Sequence, residues 1–328
     1  MKFKNVCVIG GAGYVGSKLV PKLLDEGYNV SVLDLMIYGT DVLLSHPNLT
    51  VIEGDIRNQD LLKMTLKNVD CVVHLACISN DPSFELNPKL GKSINLDSFK
   101  PLVELSTKFH VKRFIYASSS SVYGVKSSDN VTEDMRLEPL TDYSLFKAQC
   151  ERILLSYASP LFETVIVRPA TVCGVSRRQR LDVVVNILTN LAFHKGLITV
   201  HGGDQLRPNL HIDDMVDAYV KILSAPKNLI HREIFNVGFE NTSVINLAKI
   251  VQRVVNPNVK IIKEPTIDSR SYHISAKKIE RILGFTPKKT IEDAVLDLKN
   301  AFRNQIFERP LDNEYYFNIS RMKSYKLE

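Results

Sequence analysis

The residues best suited to acid–base chemistry are a tyrosine and a lysine that lie one helical turn apart. Tyr143 and Lys147 stand at the two ends of the segment YSLFK, and residues four apart share one face of a helix. An unperturbed tyrosine has a pKa of about 10 and is a poor base at neutral pH. A neighbouring cation stabilises the phenolate and lowers that pKa. The pair therefore predicts a phenol that exchanges a proton with a hydroxyl or a ketone of a bound substrate.

The spacing alone is weak evidence, because Tyr14 and Lys18 repeat it at the start of another expected helix. Stronger support comes from a run of four serines, Ser118 to Ser121, that follows a β-rich stretch. Ligands of open parallel sheets bind at the carboxyl ends of the strands. The serine run therefore predicts hydroxyl groups at an active site, within reach of Tyr143.

A glycine-rich turn near the start of the sequence predicts a site for a dinucleotide. The apolar stretch VCVI is followed by GGAGYVG, residues 10–16, which opens a helix. Glycines permit the sharp turn, the close approach of the backbone to a pyrophosphate and tight packing of the helix on the strand. The positive end of the helix then faces the phosphates. The residues expected to contact the dinucleotide are Gly10, Gly13, Tyr14, Val15 and Gly16.

Two aspartates follow the next two strands. Asp34 ends the second strand, where a carboxylate binds the ribose hydroxyls of adenosine. Leu35 and Met36 come next, and the absence of an arginine directly after Asp34 favours NAD over NADP. Asp55 follows the third strand and has two open interpretations, a contact with the adenine amino group or the N-cap of the next helix.

The elements that must position these residues alternate between short β-rich stretches and amphipathic helices, which is typical of a parallel sheet covered on both faces. The expected strands are Asn5–Ile9, Asn29–Leu33, Leu49–Glu53, Cys71–His74, Arg113–Tyr116 and Thr164–Val167. The expected helices between them are Tyr14–Glu26, Gln59–Leu66, Pro88–Phe109 and Tyr143–Tyr157.

After Pro169 this alternation gives way to mainly helical stretches. The expected helices there are Leu181–His194, Asp213–Leu223, Val244–Val255, Ala276–Leu283 and Ile291–Asn304, with strands at Ile198–His201 and Ile234–Val237. We therefore predict an α/β fold with a Rossmann-type doubly wound parallel sheet over residues 1–167 and a returning segment near 203–239. A smaller, mostly helical domain is expected over residues 168–202 and 240–328.

Composition excludes several other classes of protein. The chain has 328 residues, of which 45% are hydrophobic and 24% charged, so it is neither largely disordered nor fibrous. Five cysteines without a Cys-x-x-Cys pair favour neither a disulfide framework nor a zinc site. No apolar stretch reaches the length of a membrane span or a signal-peptide core, so we expect a cytoplasmic protein without a membrane partner.

Charge does not favour nucleic acid as a partner. The net charge of +6 is mild and suits an anionic small molecule. The one basic cluster, RRQR at residues 177–180, lacks interleaved aromatic residues. We expect it to form a loop beside the substrate.

Taken together, the motifs resemble those of the extended short-chain dehydrogenase/reductases that act on nucleotide sugars, over nearly the whole chain. Besides the glycine turn and the Tyr143 pair, they are GDIR at 54–57, HLA at 74–76, VYG at 122–124, RP at 168–169, Arg207 before HIDD at 211–214, and FNVG at 235–238. The resemblance implies NAD as cofactor, a nucleotide-diphosphate sugar as substrate bound by the smaller domain, and a homodimer built from two helices per subunit, including the one that carries Tyr143.

The resemblance also assigns roles to residues. Ser119, four residues before Tyr123, would hydrogen-bond the reacting oxygen beside Tyr143, while Lys147 holds the nicotinamide ribose. The flanking serines would pack or cap, and His74 would be structural. Further cofactor contacts are expected from Asp55, Ile56, Leu75 and Ala76. Substrate contacts are expected from Asn80, Ser119, Ser120, Thr171, Arg180, Arg207 and Arg270. Arg207 and Arg270 occupy the positions at which the family binds the substrate pyrophosphate. Arg270 is equally compatible with a solvated surface charge.

The residues after Ser119 bear on the reaction. The 4,6-dehydratases of this family carry an acid and a base there, and elimination of water needs both. Ser120 and Ser121 supply neither, which favours a 4-epimerase or a 4-dehydrogenase/ketoreductase that acts at sugar C4. Two alternatives stay open: a 4,6-dehydratase, and a non-catalytic NAD-binding sensor or scaffold. Thr171 stands where the epimerases usually have asparagine, so substrate contacts are expected to differ.

Overall fold

The computed structural model describes residues 3–79, 81–128, 130–266 and 271–325. Within them the strands are β1 (Asn5–Ile9), β2 (Asn29–Asp34), β3 (Leu49–Glu53), β4 (Cys71–His74), β5 (Arg113–Ala117), β6 (Glu163–Pro169), β7 (Thr171–Cys173), β8 (Leu197–His201), β9 (Leu206–His211), β10 (Glu233–Val237), β11 (Glu240–Ser243) and β12 (Lys260–Glu264).

The helices lie between and after these strands. The α-helices of the described residues are α1 (Gly16–Asp25), α2 (Gln59–Thr65), α3 (Asp81–Phe84), α4 (Pro88–Lys92), α5 (Phe99–Lys108), α6 (Asp142–Ser156), α7 (Val184–Lys195), α8 (Ile212–Ser224), α9 (Lys227–Ile230), α10 (Val244–Val255), α11 (Lys277–Leu283), α12 (Ile291–Arg303) and α13 (Asn318–Ser324). A π-helical segment covers Ser93–Asp97, and 3-10 turns cover Ser120–Tyr123 and Glu314–Tyr316. Over the described part of the chain, we find no helix with both the length and the apolar character that a membrane crossing requires.

Seven strands form one parallel sheet in the order β3-β2-β1-β4-β5-β6-β10. The order 3-2-1-4-5-6 is that of a Rossmann sheet, in which the order of successive strands reverses between β1 and β4. The predicted fold class is confirmed. The sheet also brings the loops after its strands to one edge, where ligands of such folds bind.

The apolar strands are buried because helices cover both faces of the sheet. In β1, Val6 and Val8 pack in the same core as α1 and α8, whereas Cys7 and Ile9 pack with α2, α5 and α6. Alternate residues of a strand point to opposite faces, so a strand buried on both sides needs apolar residues at every position. This requirement explains the continuous apolar stretch VCVI.

The smaller part of the molecule is more strand-rich than the sequence indicated. Strands β7, β9 and β11 form a three-stranded sheet, and β8 pairs with β12. Helices α7, α10 and α12 pack together beside them. The sequence analysis missed β7, β9, β11 and β12, which are short and pair with distant parts of the chain. Since β9 lies in this sheet while β10 joins the large one, the proposed domain boundaries stay a prediction.

The expected single helix over residues 88–109 is wrong, because a π-helical segment separates α4 from α5. Asn95 lies in that segment, is buried, and binds the loop after β4. Its amide accepts a hydrogen bond from Ile78 N at 2.8 Å and donates one to Ile78 O at 3.0 Å. The interruption thus fixes a loop at the ligand-binding edge of the sheet.

A buried ion pair joins α6 to β6. Arg168 donates to both carboxylate oxygens of Glu151, at 2.9 and 2.6 Å, and each side chain is only 3% exposed. The hydroxyl of Ser118 also donates to Glu151, and a further Arg168 N–H donates to the hydroxyl of Tyr123 at 2.7 Å. Tyr123 is fully buried in this network. The network holds the end of β5 against the helix that carries Tyr143.

We expect Glu151→Ala to destabilise the fold by about 3–5 kcal/mol, because it leaves the guanidinium of Arg168 buried without its partner. Urea unfolding followed by circular dichroism measures the change. Asp312→Ala removes a carboxylate from an exposed pair with Arg309 and should leave the unfolding midpoint unchanged. A Glu151→Ala variant as stable as the parent would contradict this account of the ion pair.

Candidate active site

A cavity of about 550 Å³ lies at the edge where the strands of the large sheet end, and residues of the smaller part close it from the other side. It contains most of the residues that the sequence singled out. Those that line it are Gly10, Gly13, Tyr14, Val15, Gly16, Asp34, Ile56, Leu75, Ala76, Ser119, Ser120, Tyr143, Lys147, Thr171, Arg180 and Arg207. Asn80 and Arg270 lie outside the described residues.

The glycine turn packs too closely on its surroundings to carry side chains at two positions. A Cβ on Gly10, whose φ is +84°, would lie 2.4 Å from Ala76 N, and a Cβ on Gly16 would lie 2.5 Å from Gly11 O. At Gly13 the nearest atom would be Gly10 O at 3.3 Å. The turn therefore leaves its backbone open to the cavity at the N-terminus of α1.

Asp34 is held in a defined orientation at the end of β2. Its carboxylate accepts hydrogen bonds from Ala12 N and Met36 N, each at 2.9 Å. Burial raises the pKa of Asp34 above its ordinary value, and the two amide hydrogen bonds act in the opposite direction. The carboxylate faces the same cavity as the glycine turn.

Asp55 does not cap the following helix, and its contact with the adenine amino group stays a prediction. It is not among the residues that line the cavity, and its carboxylate pairs with Arg57 at 2.6 Å. Burial alone would raise the pKa of Asp55, but the hydrogen bonds and the charge of Arg57 outweigh it and hold that pKa low. The N-cap interpretation is wrong, because the side chain of Asn58 caps α2 by accepting from Asp60 N and Leu61 N.

Ser119, Tyr143 and Lys147 meet at the end of β5. Tyr143 stands in the first turn of α6, and its side chain and that of Ser119 line the same cavity. The side chain of Ser119 caps the 3-10 turn that follows it by accepting a hydrogen bond from Ser121 N at 3.1 Å. The capping role that was expected of the flanking serines therefore belongs to Ser119. Lys147 is buried and donates to Ala117 O at 2.7 Å.

Burial dominates the electrostatics of Tyr143. Burial raises its pKa well above the ordinary value, and the nearby Cys77 and Asp81 add to the rise. The charge of Arg180 and the nearby hydroxyl of Ser119 lower the pKa of Tyr143, but they do not offset the burial. The phenol of the protein by itself is therefore protonated at neutral pH, and the lowering expected from Lys147 together with oxidised nicotinamide stays a prediction.

His74 belongs to the core. Its ring packs against Phe99, Phe114 and Tyr116, with centroid separations of 5.5, 6.2 and 5.7 Å. Burial lowers the pKa of His74 to about 3, and the charge of Lys147 contributes to the shift. A neutral imidazole in this position fits the structural role expected from the sequence.

Three described residues expected to contact substrate come from the smaller part of the molecule. Thr171 begins β7, Arg207 lies in β9, and Arg180 lies in the loop between β7 and α7. Arg180 pairs with Asp182 at 2.9 Å and donates to the hydroxyl of Ser79 at 3.3 Å, while its Nη2 is buried without a hydrogen-bond partner. This nitrogen remains available for a hydrogen bond.

The sequence analysis included Arg178 only as part of the RRQR cluster expected beside the substrate, and it did not name Tyr38 or Asn318, although all three line the cavity. Arg178 lies two residues before Arg180, and both line the cavity. The side chain of Arg177, which directly precedes Arg178, is exposed to solvent. A spacing of two places side chains on the same side of an extended segment. That spacing was the available signal for Arg178, while Asn318 is distant in sequence and gave none.

The comparisons with known proteins agree with this arrangement. A family model described as NAD dependent epimerase/dehydratase family matches residues 6–238. The chain is 26% identical over 315 residues to the UDP-glucose 4-epimerase of Lactobacillus helveticus, covering 89% of this chain and 94% of that protein. It is 29% identical over 309 residues to the dTDP-D-glucose 4,6-dehydratase of Homo sapiens, covering 87% and 86%. The solved structure of MoeE5 in complex with UDP-glucuronic acid and NAD aligns with a TM-score of 0.80 at 28% identity, covering 92% of this chain and 99% of that one.

We expect Gly16→Ala and Gly13→Ala to fail in different ways. The new Cβ at Gly16 would collide with backbone atoms, so that variant should lose about 1–3 kcal/mol of stability. The Cβ at Gly13 has room to fit but would stand where a phosphate approaches, so that variant should fold and bind NAD on the order of tenfold more weakly. Thermal unfolding and calorimetric titration with NAD separate the two effects, and equal NAD affinity of Gly13→Ala and the parent would contradict the phosphate role.

The buried imidazole of His74 should make stability depend on pH. The pKa of His74 is about 3 in the folded protein and has its ordinary value of 6.5 in the unfolded chain. Between these two pH values, the imidazole of the unfolded chain is protonated while that of the folded protein stays neutral. Stability should therefore decline on acidification, with a contribution from His74 of about 2 kcal/mol between pH 7 and pH 5. His74→Phe should reduce the measured decline by that amount, while His46→Phe at an exposed site should not.

Proposed function

Because the chain belongs to the NAD dependent epimerase/dehydratase family, we propose that it is an NAD-dependent oxidoreductase acting at C4 of a nucleotide sugar. The observation that carries the proposal is that Ser119, Tyr143 and Lys147 line the same cavity as the glycine turn and Asp34. The reacting pair and the features suited to a dinucleotide thus face a common space. Two hydroxyls beside such a site can bind one substrate oxygen.

The residues present fit NAD. The turn at Gly10 and Gly16 has no room for a Cβ, so its backbone can approach a pyrophosphate at the start of α1. Asp34 is oriented at the end of β2 to accept hydrogen bonds from ribose hydroxyls. Leu75 and Ala76, which follow β4 and lie directly against Gly10, add apolar surface to the cavity.

The chain's own residues would hold the substrate oxygen and move its proton. Ser119 and Tyr143 bind the oxygen on C4, and the phenol exchanges a proton with it. A protonated phenol donates to the C4 ketone during its reduction, whereas oxidation of the C4 hydroxyl needs the phenolate to accept the proton; Lys147 and the charge of oxidised nicotinamide would stabilise that phenolate. Lys147, anchored on Ala117 O, holds a positive charge near the Tyr143 ring, with its nitrogen 5.8 Å from the ring centroid. Oxidised nicotinamide, when bound, supplies a hydride acceptor and a further positive charge.

The substrate class follows from the cations on the other side of the cavity. The guanidinium groups of Arg180 and Arg207 line it, and guanidinium binds phosphate oxygens through paired hydrogen bonds. The charge of Arg180 also acts on Tyr143, which supports a position on the substrate side. A nucleotide-diphosphate sugar supplies both the phosphates and the hydroxyl that these groups require.

We favour a 4-epimerase or a 4-dehydrogenase/ketoreductase over a 4,6-dehydratase. Ser120 and Ser121 line the cavity beside Ser119, and a serine hydroxyl does not take the C5 proton as a carboxylate would. The human relative is a 4,6-dehydratase, so dehydration is the second candidate. A homodimer formed through two helices per subunit, α6 among them, stays a prediction.

Turnover of UDP-, GDP-, dTDP- and CDP-linked sugars tests the proposal. Following NADH absorbance and the NMR spectrum of the sugar distinguishes the outcomes: an epimer without net NADH, a 4-keto sugar with NADH, or a 4-keto-6-deoxy product. The third product would establish dehydration instead. No change in any of these sugars would contradict the proposal and favour a sensor or scaffold.

We expect Tyr143→Phe to lower turnover by about 10²–10⁴-fold while NAD binding is retained, because the change removes only the proton-transferring oxygen. Tyr157→Phe is a matched control at the end of the same helix. It also removes a tyrosine hydroxyl, but that hydroxyl donates to Glu104 and lies outside the cavity. Turnover and NAD affinity should both match the parent in the control. Full activity of Tyr143→Phe would contradict the assigned role.

A further inference from the structure

The loop between β7 and α7 crosses the large sheet's glycine turn. The backbone N–H of Arg178 donates to the hydroxyl of Ser17 at 3.1 Å, and Ser17 N in turn donates to Gly13 O at 2.8 Å. The hydroxyl of Ser176 donates to Tyr14 O at 2.8 Å. The loop is therefore fixed on the first turn of α1, at the positive end of that helix.

From this anchor the side chain of Arg178 reaches toward the end of β2. Its guanidinium carbon lies 3.6 Å from the ring centroid of Tyr38, four residues after Asp34. Its Nη2 donates to the side-chain oxygen of Asn318. The residue is 3% exposed and lines the cavity. The guanidinium thus stacks on a residue of the loop after β2, while the backbone of Arg178 is fixed on the first turn of α1.

Arg178 makes no direct ion pair within the described residues, and the nearby carboxylates of Asp34 and Asp182 act on its charge without touching it. Its Nε is buried without a hydrogen-bond partner in the described chain. Arg168, equally buried, has Glu151. A buried cation without a direct ion-pair partner is unfavourable, and burial lowers the pKa of Arg178 to about 10. An anion bound in the cavity would relieve this condition.

We propose that Arg178 binds the pyrophosphate of the dinucleotide together with the glycine turn. The inference rests on the proposed function in one respect, the identity of NAD as the cofactor. The two neighbouring arginines have different contacts: the guanidinium of Arg178 stacks on Tyr38, whereas that of Arg180 pairs with Asp182 and donates to Ser79.

Asn318 is the positioning residue for Arg178. Its side-chain oxygen accepts from Arg178, its Nδ2 donates to Ser79 Oγ at 2.9 Å, and its backbone N–H donates to Asp182 at 2.8 Å. With the Tyr38 ring on one side, these contacts leave the guanidinium little freedom. A pre-organised guanidinium binds an anion without a further loss of side-chain entropy.

Replacing Arg178 with glutamine tests the proposal by calorimetric titration with NAD and with ADP-ribose, after removal of any nucleotide that co-purifies. Both ligands contain the pyrophosphate, so both should bind about 10- to 100-fold more weakly, the range for loss of hydrogen bonds to a charged group. Arg177→Gln is the matched control, because its side chain is exposed on the same loop, and it should bind both ligands like the parent.

Other patterns would overturn the proposal. Unchanged affinity for NAD and ADP-ribose would do so. A loss of affinity confined to NADP would assign Arg178 to the ribose 2′ position instead. A loss of affinity confined to the nucleotide sugar would assign it to the substrate. If Arg178→Gln does not fold, Asn318→Ala takes its place and should weaken both ligands at least about threefold, with unchanged affinity again overturning the proposal. Because Tyr143→Phe tests catalysis separately, these results leave the proposed reaction undisturbed.

Discussion

The site depends on one steric constraint, the close approach of three stretches of backbone at the end of β1. Gly10 lies against Ala76 in the loop after β4, and Gly16 lies against the carbonyl of Gly11. No side chain fits between them, so α1 starts directly over the strand and points its free N–H groups at the cavity. Asp34 and the end of β5 then face the same space because parallel strands end at one edge.

Buried charges fall into two groups, and the difference separates fold from function. Arg168 pairs with Glu151, and Arg113 with Glu163, and neither arginine lines the cavity. Arg178 does line it, and it binds an amide and an aromatic ring in place of a carboxylate. A buried cation without a direct ion-pair partner is unfavourable. The anion that we propose for Arg178, the pyrophosphate of the dinucleotide, would supply such a partner.

Local patterns in the sequence predicted most elements of the fold. Strand Leu49–Glu53 and helix Val244–Val255 have the predicted bounds, because their apolar residues follow the period of the element. The π-helical segment escaped prediction, since it depends on Asn95 binding the backbone of Ile78 far from it in sequence. The glycine turn, Asp34 and Tyr143 were found by their place in the alternation of strands and helices. The raised pKa of Tyr143 reflects burial, and the pairing of Asp55 with Arg57 reflects a local side-chain geometry, neither of which a motif reveals.

The later part of the chain explains why relatives with different reactions can share this fold. The family match ends at residue 238, yet Tyr272, Asn318 and Met322 also line the cavity. Helices α10 and α12, which follow that point, pack against α7 and so support the segment that carries Arg178 and Arg180. In the proposed function the large sheet therefore sets where the cofactor and the phenol lie, whereas these later elements complete the cavity and support the Arg178 segment. Since the proposed reaction at C4 would depend on how a sugar is held against the phenol, proteins that agree in the sheet can differ in product.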